Sequence, residues 1–181
     1  GNTMCASMIA NSLLDIWSKP IAKNTQSKAH PQVSPLDPFS YVSGRFLDFD
    51  PIEIDKNWKK GIPDWPKENK GKVRSRFLGA PFIYANQAGA KLKVKFSGTA
   101  IGAYMLSGPD TAIIRCTIDG KESKEIDTLH RHSGFNYPMT VMFFNELSDS
   151  GHVLELEILK NRKGRIRDGG EALRVIHFTA N

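Results

Sequence analysis

The sequence lacks cysteine clusters and long apolar segments. Its two cysteines, Cys5 and Cys116, have no metal-ligand spacing around them, so we expect free, buried thiols. No apolar run approaches the ~20 residues that a membrane-spanning helix needs, and no membrane span is predicted. The first residues also lack the basic and apolar regions of a signal peptide. What remains is an ordinary globular composition, with 40% hydrophobic and 24% charged residues in 181.

The net charge of +6 is of the sign that nucleic-acid-binding proteins typically have. The one dense basic cluster contains no aromatic residue, and Asp168 and Glu171 follow it closely; its members are Lys160, Arg162, Lys163, Arg165 and Arg167. A solvated hairpin tip explains such a cluster as well as a nucleic-acid site does. We therefore predict no nucleic-acid partner.

Catalytic and metal-binding motifs are also missing. The sequence has no Gly-x-Ser-x-Gly element of a serine hydrolase. His130 and His132 are two residues apart and would need His152 or His177 to complete a metal site. Surface histidines in a loop are the simpler interpretation, so neither a metal nor another cofactor is predicted.

Three segments of different character divide the chain. An amphipathic helix is predicted over residues 3–17, within an N-terminal segment of residues 1–19. Residues 20–40 are rich in proline and polar residues and are predicted to be a linker. Residues 41–181 form the third segment.

This third segment has the pattern of a β-protein. Lys91, Lys93 and Lys95 alternate with apolar residues, as in a strand with one buried face. Asp119-Gly120 between two β-type runs indicates a hairpin with a type I′ turn. Further strands are predicted over 41–49, 73–77, 81–84, 100–106, 112–118, 121–127, 137–144, 152–159 and 173–178, with a long loop over 52–72. The predicted fold class is mainly β, an antiparallel, jelly-roll-like β-sandwich with one N-terminal helix.

Six residues in loop-like positions are candidates for ligand binding. Sugar sites combine exposed aromatic faces with planar polar groups. The residues of these types are Trp58, Trp65, His130, Arg131, His132 and Tyr137. The alternative is that the tryptophans belong to the core, as they more often do in a small sandwich.

Several short motifs resemble, in this order, the C-terminal β-sandwich of multidomain bacterial SGNH (GDSL-type) hydrolases. They are residues 96–102 (FSGTAIG), 107–112 (SGPDTA), 119–120 (DG), 129–133 (LHRHS), 137–138 (YP) and 151–154 (GHVL). Similar motifs occur in the jelly-roll domain of acetyl-xylan-type carbohydrate esterases. The resemblance covers roughly residues 41–181, and it implies that the helix at 1–19 is the last helix of an upstream SGNH-type catalytic domain.

The resemblance does not extend to catalytic residues. The Gly-Asp-Ser block is missing, and His30-Pro31, the only His-Pro pair, has Ser27 in place of the aspartate of an Asp-x-x-His-Pro block. The resemblance therefore implies a non-catalytic accessory domain of an esterase acting on acylated carbohydrate, located outside the cytoplasm. Its expected partners are the upstream catalytic domain and carbohydrate. A free-standing carbohydrate-binding module and a purely structural interaction domain remain the alternatives.

Overall fold

A computed structural model describes residues 2–21, 26, 29, 36–50, 52–68, 70–166 and 169–181. The chain divides into two compact units, residues 1–36 and 37–181. His30-Pro31 lies outside the described residues.

The first unit contains one helix, α1 (Asn2–Ser18). None of its described residues is buried, and the exposed apolar side chains include Met8, Ile9 and Trp17. The exposure of Cys5 in this helix contradicts the expectation of two buried thiols. Within the described residues, no helix is both long enough and apolar enough to cross a membrane.

The second unit is an antiparallel β-sandwich, as predicted. After a 3₁₀ turn at Tyr41–Ser43, its elements are β1 (Arg45–Leu47), β2 (Ile52–Ile54), β3 (Lys59–Gly61), α2 (Trp65–Glu68), α3 (Ser75–Leu78), β4 (Phe82–Ala85), β5 (Lys91–Gly98), β6 (Ile101–Ser107), β7 (Ile113–Ile118), β8 (Glu122–Asp127), β9 (Tyr137–Phe144), β10 (Ser150–Ile158) and β11 (Leu173–Ala180). One sheet has the order β3-β4-β11-β6-β9, with β1 also on β11, and the other has the order β2-β5-β10-β7-β8.

The core lies between the two sheets. In β5, Leu92, Val94 and Phe96 point into it while the three lysines face solvent. Each such apolar side chain contributes roughly 1.5–3 kcal/mol on burial. Cys116 lies in the same core, and burial raises the pKa of its thiol to about 12. This thiol is therefore protonated at neutral pH.

A second, smaller core covers part of the outer face of the six-stranded sheet. Residues 62–68 and 70–80 fold over Phe82, Tyr84, Leu106 and Ile176, and Phe77 packs against them. The strand predicted over 73–77 is therefore wrong, because α3 occupies this position. The predicted long loop over 52–72 contains β2, β3 and α2 instead.

The strand register defines two ends of the sandwich. At one end, Ser107 is paired with Tyr137 and Ala85 with Leu173. The loop between β8 and β9 and the loop between β10 and β11 meet at this end, which we call the loop end. The β7-β8 hairpin lies at the opposite end, where Asp119 and Gly120 both have positive φ angles (52° and 66°), as a type I′ turn requires.

Candidate functional site

A chain of buried hydroxyl groups holds the loop between β8 and β9 at the loop end. The His130 backbone N–H donates to Ser133 Oγ over 2.9 Å, and Ser133 Oγ lies against Ser107 Oγ. Ser107 Oγ donates in turn to the Thr128 carbonyl over 2.7 Å. Because that bond uses the Ser107 proton, Ser133 must be the donor to Ser107. The loop is thus fixed to β6 by hydrogen bonds that all run in one direction.

Three rings pack together on this loop. The His130 ring stacks on Tyr137 with centroids 5.2 Å apart and an interplanar angle of 13°. His132 lies 5.1 Å from His130 and 5.2 Å from Tyr137. Arg131, on the same loop, donates from Nε to His132 Nε2 over 3.2 Å. We call these four residues the loop platform.

The hydrogen bonds of the two histidines define what they can offer a ligand. His130 Nδ1 accepts from the His132 backbone N–H over 3.2 Å, and His132 Nε2 accepts from Arg131. An accepting ring nitrogen carries no proton, so in each neutral ring the other nitrogen is the donor. The platform therefore combines imidazole N–H donors, a phenol and a guanidinium group, which suit hydroxyl or carboxylate oxygens.

Two further residues, not predicted from the sequence, lie beside the loop platform. Phe135 contacts Tyr137 edge to face at 6.0 Å, and the guanidinium of Arg74 lies 5.5 Å from the centre of the Phe135 ring. Phe135 could have been found, since it lies in the same loop two positions before Tyr137. Arg74 is more than fifty positions away in the sequence, and no local pattern connects it to the loop.

Asn136 joins the loop to segment 70–72. Its backbone N–H donates to the Lys72 carbonyl over 2.9 Å, and its side-chain Nδ2 lies 3.3–3.4 Å from the carbonyls of Lys70, Gly71 and Lys72. Gly71 has φ of 92°, and a Cβ there would meet Pro109 at 3.0 Å. The two segments therefore form a single wall at the loop end.

A polar cleft of about 480 Å³ lies beside this wall and shares Lys70 with it. Its carboxylates already have partners within the protein. Arg174, almost fully buried, forms a bidentate pair with Asp110 at 2.9 and 2.7 Å. Glu171 accepts from the backbone N–H groups of Ala88 and Asn161. These groups fix the loops and give the cleft a structural role.

The two predicted tryptophans lie outside the platform. Trp58 is only 4% exposed and belongs to the main core, so it cannot present a ring face to a ligand, and its inclusion as a candidate was wrong. Trp65 is half-buried edge-on against Phe82 at 5.2 Å, and its Nε1 donates to the Leu78 carbonyl. The structure brings together the other four predicted residues, His130, Arg131, His132 and Tyr137.

The predicted basic hairpin tip is not simply a solvated cluster. The Arg165 side chain is only 3% exposed, and it forms hydrogen bonds with Asp127, with Asn161 Oδ1 and with the Thr111 carbonyl. This arginine anchors the β10-β11 loop to the end of β8.

A second polar group, at the opposite end, resembles a Ser-His-Asp triad. His152 Nδ1 lies 2.8 Å from Asp119 Oδ2, and its Nε2 lies 3.2 Å from Ser150 Oγ. However, Nε2 is closer to the Ser148 carbonyl, at 2.8 Å. A carbonyl oxygen only accepts, so Nε2 must carry a proton and cannot act as a general base in this arrangement.

The His152 contacts form instead a charged clasp between the β7-β8 turn and β10. Burial opposes the charge on His152, but the bonds to the Ser148 carbonyl and Asp119 outweigh it and raise the pKa. The hydrogen bonds from His152 and from the Val153 backbone lower the pKa of Asp119, and nearby Lys121 adds to this effect. Among the described residues, no group of three or more potential ligands could hold a metal ion.

Comparisons with known proteins give matches in structure alone. No family model and no curated protein matches the sequence. Two crystal structures of a two-domain esterase active on acetylated mannans, one with mannopentaose, match 98% of this chain at 12% identity, with TM-scores of 0.56 and 0.54. This chain spans 46% and 45% of theirs, less than half of the esterase. These likenesses establish a shared fold.

A family 35 carbohydrate-binding module from Clostridium thermocellum is matched over 76% of this chain and 97% of its own, at 14% identity. The TM-score of 0.47 is too low to carry an argument.

The first prediction concerns the hydroxyl chain. Ser133→Ala removes the donor to Ser107 and the acceptor for the His130 N–H at a buried site. We expect the free energy of unfolding to fall by about 1–3 kcal/mol, measured by urea denaturation. Ser123→Ala, an exposed serine in β8, is the control and should change it by less than about 0.5 kcal/mol. Equal effects of the two variants would contradict the role of Ser133.

The second prediction concerns the clasp. The contribution of His152 is complete below the ordinary histidine pKa of 6.5 and is lost as the pH rises through its raised value. That of Asp119 is complete above 3.8 and is lost as the pH falls through its lowered value. Thermal melts should therefore separate the wild type from Asp119→Asn most widely between these two values. A difference that grows above neutral pH would show that the clasp is not an ion pair.

Proposed function

We propose that this β-sandwich is the non-catalytic accessory domain of an SGNH-type esterase that acts on acylated carbohydrate. In this proposal the loop platform binds the carbohydrate and helps to present it to the catalytic domain. The observation that carries the proposal is the meeting of His130, Arg131, His132 and Tyr137 on one rigid loop. Rings and planar donors in this combination are typical of sugar sites.

The likeness to the two-domain esterase supports this proposal at the level of fold. That esterase is active on acetylated mannans, and less than half of its length corresponds to this chain. We infer that the helix within residues 1–19 ends an upstream catalytic domain, that 20–40 is a linker, and that 41–181 is the accessory domain. An extracytoplasmic location follows from the same proposal, because polymeric carbohydrate substrates are found there.

A structural interaction domain is the second candidate, and a specific surface favours it. Tyr41, Val42 and Phe46 are 56%, 88% and 66% exposed at the start of the sandwich. The side chain of Asn181 holds the Tyr41–Ser43 turn by accepting from the Ser43 N–H and donating to the Ser40 carbonyl. Exposed apolar residues on a fixed segment are typical of protein interfaces.

Tyr137→Ala tests the first candidate against the second. We expect the 181-residue chain to bind an acetylated manno-oligosaccharide in a calorimetric titration. The variant should lose about twofold to tenfold in affinity, since an aromatic contact contributes roughly 0.5–1.5 kcal/mol beyond the area that it buries. Tyr41→Ala removes an exposed tyrosine near the opposite end and should leave the affinity unchanged.

Two results would contradict the proposal. Loss of binding in Tyr41→Ala with normal binding in Tyr137→Ala would move the site to the apolar surface. Release of acetate from the oligosaccharide by the 181-residue chain alone would show that this chain is itself catalytic.

A further inference from the structure

The two segments that form the wall at the loop end contain basic residues and no acidic residues. Residues 70–76 contain four cations and no carboxylate, namely Lys70, Lys72, Arg74 and Arg76. Residues 129–137 contain Arg131 and two histidines, again without a carboxylate. The hydrogen bonds of Asn136 and the contact of Arg74 with Phe135 hold the two segments together. The aromatic rings therefore lie in a positively charged setting.

Several cations elsewhere in the sandwich are paired with carboxylates. On the outer face of the five-stranded sheet, Lys93 pairs with Glu155, Lys95 with Glu53, and Arg115 with both Glu125 and Glu157. At the loop end, Arg165 and Arg174 are matched by Asp127 and Asp110. Among the described residues, Lys70, Lys72, Arg74 and Arg76 have no carboxylate within ion-pair distance. Within the described part of the chain, these four side chains are thus not paired with a carboxylate.

This charge bears on the ligand, because like charges that are held together repel each other unless an anion lies between them. At the loop end, the carboxylates of Asp110 and Asp127 are engaged by Arg174 and Arg165. A neutral sugar would contact the rings and the hydrogen-bond donors, but it would bring no negative charge to offset the charge of these cations. A sugar carboxylate would offset that charge, since guanidinium and imidazole N–H groups form strong bonds with carboxylate oxygens.

We propose that the platform binds a glycan that carries carboxylate groups, that is, one containing uronic acid residues. The inference rests on the proposed function, because it assumes that the platform is a carbohydrate site and specifies the chemical class of its ligand. Arg131 is the residue of the platform that meets the carboxylate, and Lys70, Lys72 and Arg74 supply the surrounding field.

A nucleic acid is the other polyanion that fits this charge. It is disfavoured by the ring geometry, since binding of single strands uses open aromatic faces on which bases stack. On the platform, His130 stacks on one face of Tyr137, and the rings of His132 and Phe135 lie with their centroids 5.2 and 6.0 Å from that of Tyr137. The groups that the site offers to a ligand are therefore mainly hydrogen-bond donors, which bind individual oxygen atoms.

The test uses a matched pair of ligands, a galacturonic acid oligosaccharide and the same oligosaccharide after chemical reduction of its carboxyl groups to alcohols. Calorimetric titration of the 181-residue chain should give at least about tenfold tighter binding of the acidic form near 0.1 M salt, and a smaller preference near 0.5 M salt, because the Debye length falls below about 10 Å. The reduced form should bind weakly at both salt concentrations.

Two variants locate the effect. Lys72→Gln should weaken binding of the acidic form by about threefold to tenfold and leave binding of the reduced form unchanged. Arg131→Gln should weaken binding of both forms, and binding of the acidic form more strongly, because Arg131 belongs to the platform. Lys121→Gln removes one exposed charge at the opposite end of the sandwich and should change neither affinity. Unfolding midpoints close to that of the wild type will show that the variants remain folded.

The outcomes separate this inference from the function on which it rests. Equal binding of the two oligosaccharides would overturn the inference and leave the proposed carbohydrate site standing. Binding of neither, together with no binding of acetylated manno-oligosaccharide, would overturn both. Tighter binding of a single-stranded RNA oligomer than of the acidic oligosaccharide, with the same dependence on Arg131, would assign the site to nucleic acid.

Discussion

The hydrogen-bond chain from His130 through Ser133 and Ser107 to Thr128 is the constraint on which the candidate site depends. The residues that carry its hydroxyl groups, Ser133 and Ser107, are fully buried. Each hydroxyl donates its one proton to the next group in the chain. Buried polar groups of this kind are costly when unpaired, so the loop has little freedom to adopt another conformation. The loop between β8 and β9 is thereby held against β6, so its rings are positioned before a ligand binds.

Rigidity at the loop end is reinforced from both neighbouring sides. Asn136 fastens segment 70–72 to the loop, and Arg174 and Arg165 fasten the turns before β7 and after β10. Consequently the site would be preorganised, and little of the binding energy would be spent on ordering it. The same arrangement brings cations together at the loop end. The carbonyl groups that Asn136 binds belong to residues 70–72, which lie in a segment rich in lysine and arginine.

The sequence predicted most of the sandwich, and the reasons differ from element to element. The alternation in β5 and the Asp119-Gly120 turn are local signals with one structural solution, and both were confirmed. Segment 73–77 was predicted to be a strand, but Val73 and Phe77 belong to the small outer core, and Phe77 lies in α3. That outer core depends on contacts with β4, β6 and β11, which no local pattern encodes.

The candidate site was predicted in part for the same reason. Four of its residues lie within nine positions of one another, and their types alone indicated a binding loop. Trp58 was misassigned because its residue type is equally suited to a core and to a sugar platform, and only tertiary packing decides between them. Arg74 contacts the loop from a distant part of the sequence, and so does Ser107 of β6 through the hydroxyl chain. The sequence does not reveal these long-range contacts.

The central claim is that the loop platform is where this domain meets its ligand. The most direct test is an NMR titration of the ¹⁵N-labelled 181-residue chain with acetylated and uronic-acid-containing oligosaccharides. The account predicts that the largest amide shifts fall in residues 129–137 and 70–74. Shifts concentrated around Tyr41 and Phe46, or on the outer face of the five-stranded sheet, would contradict it.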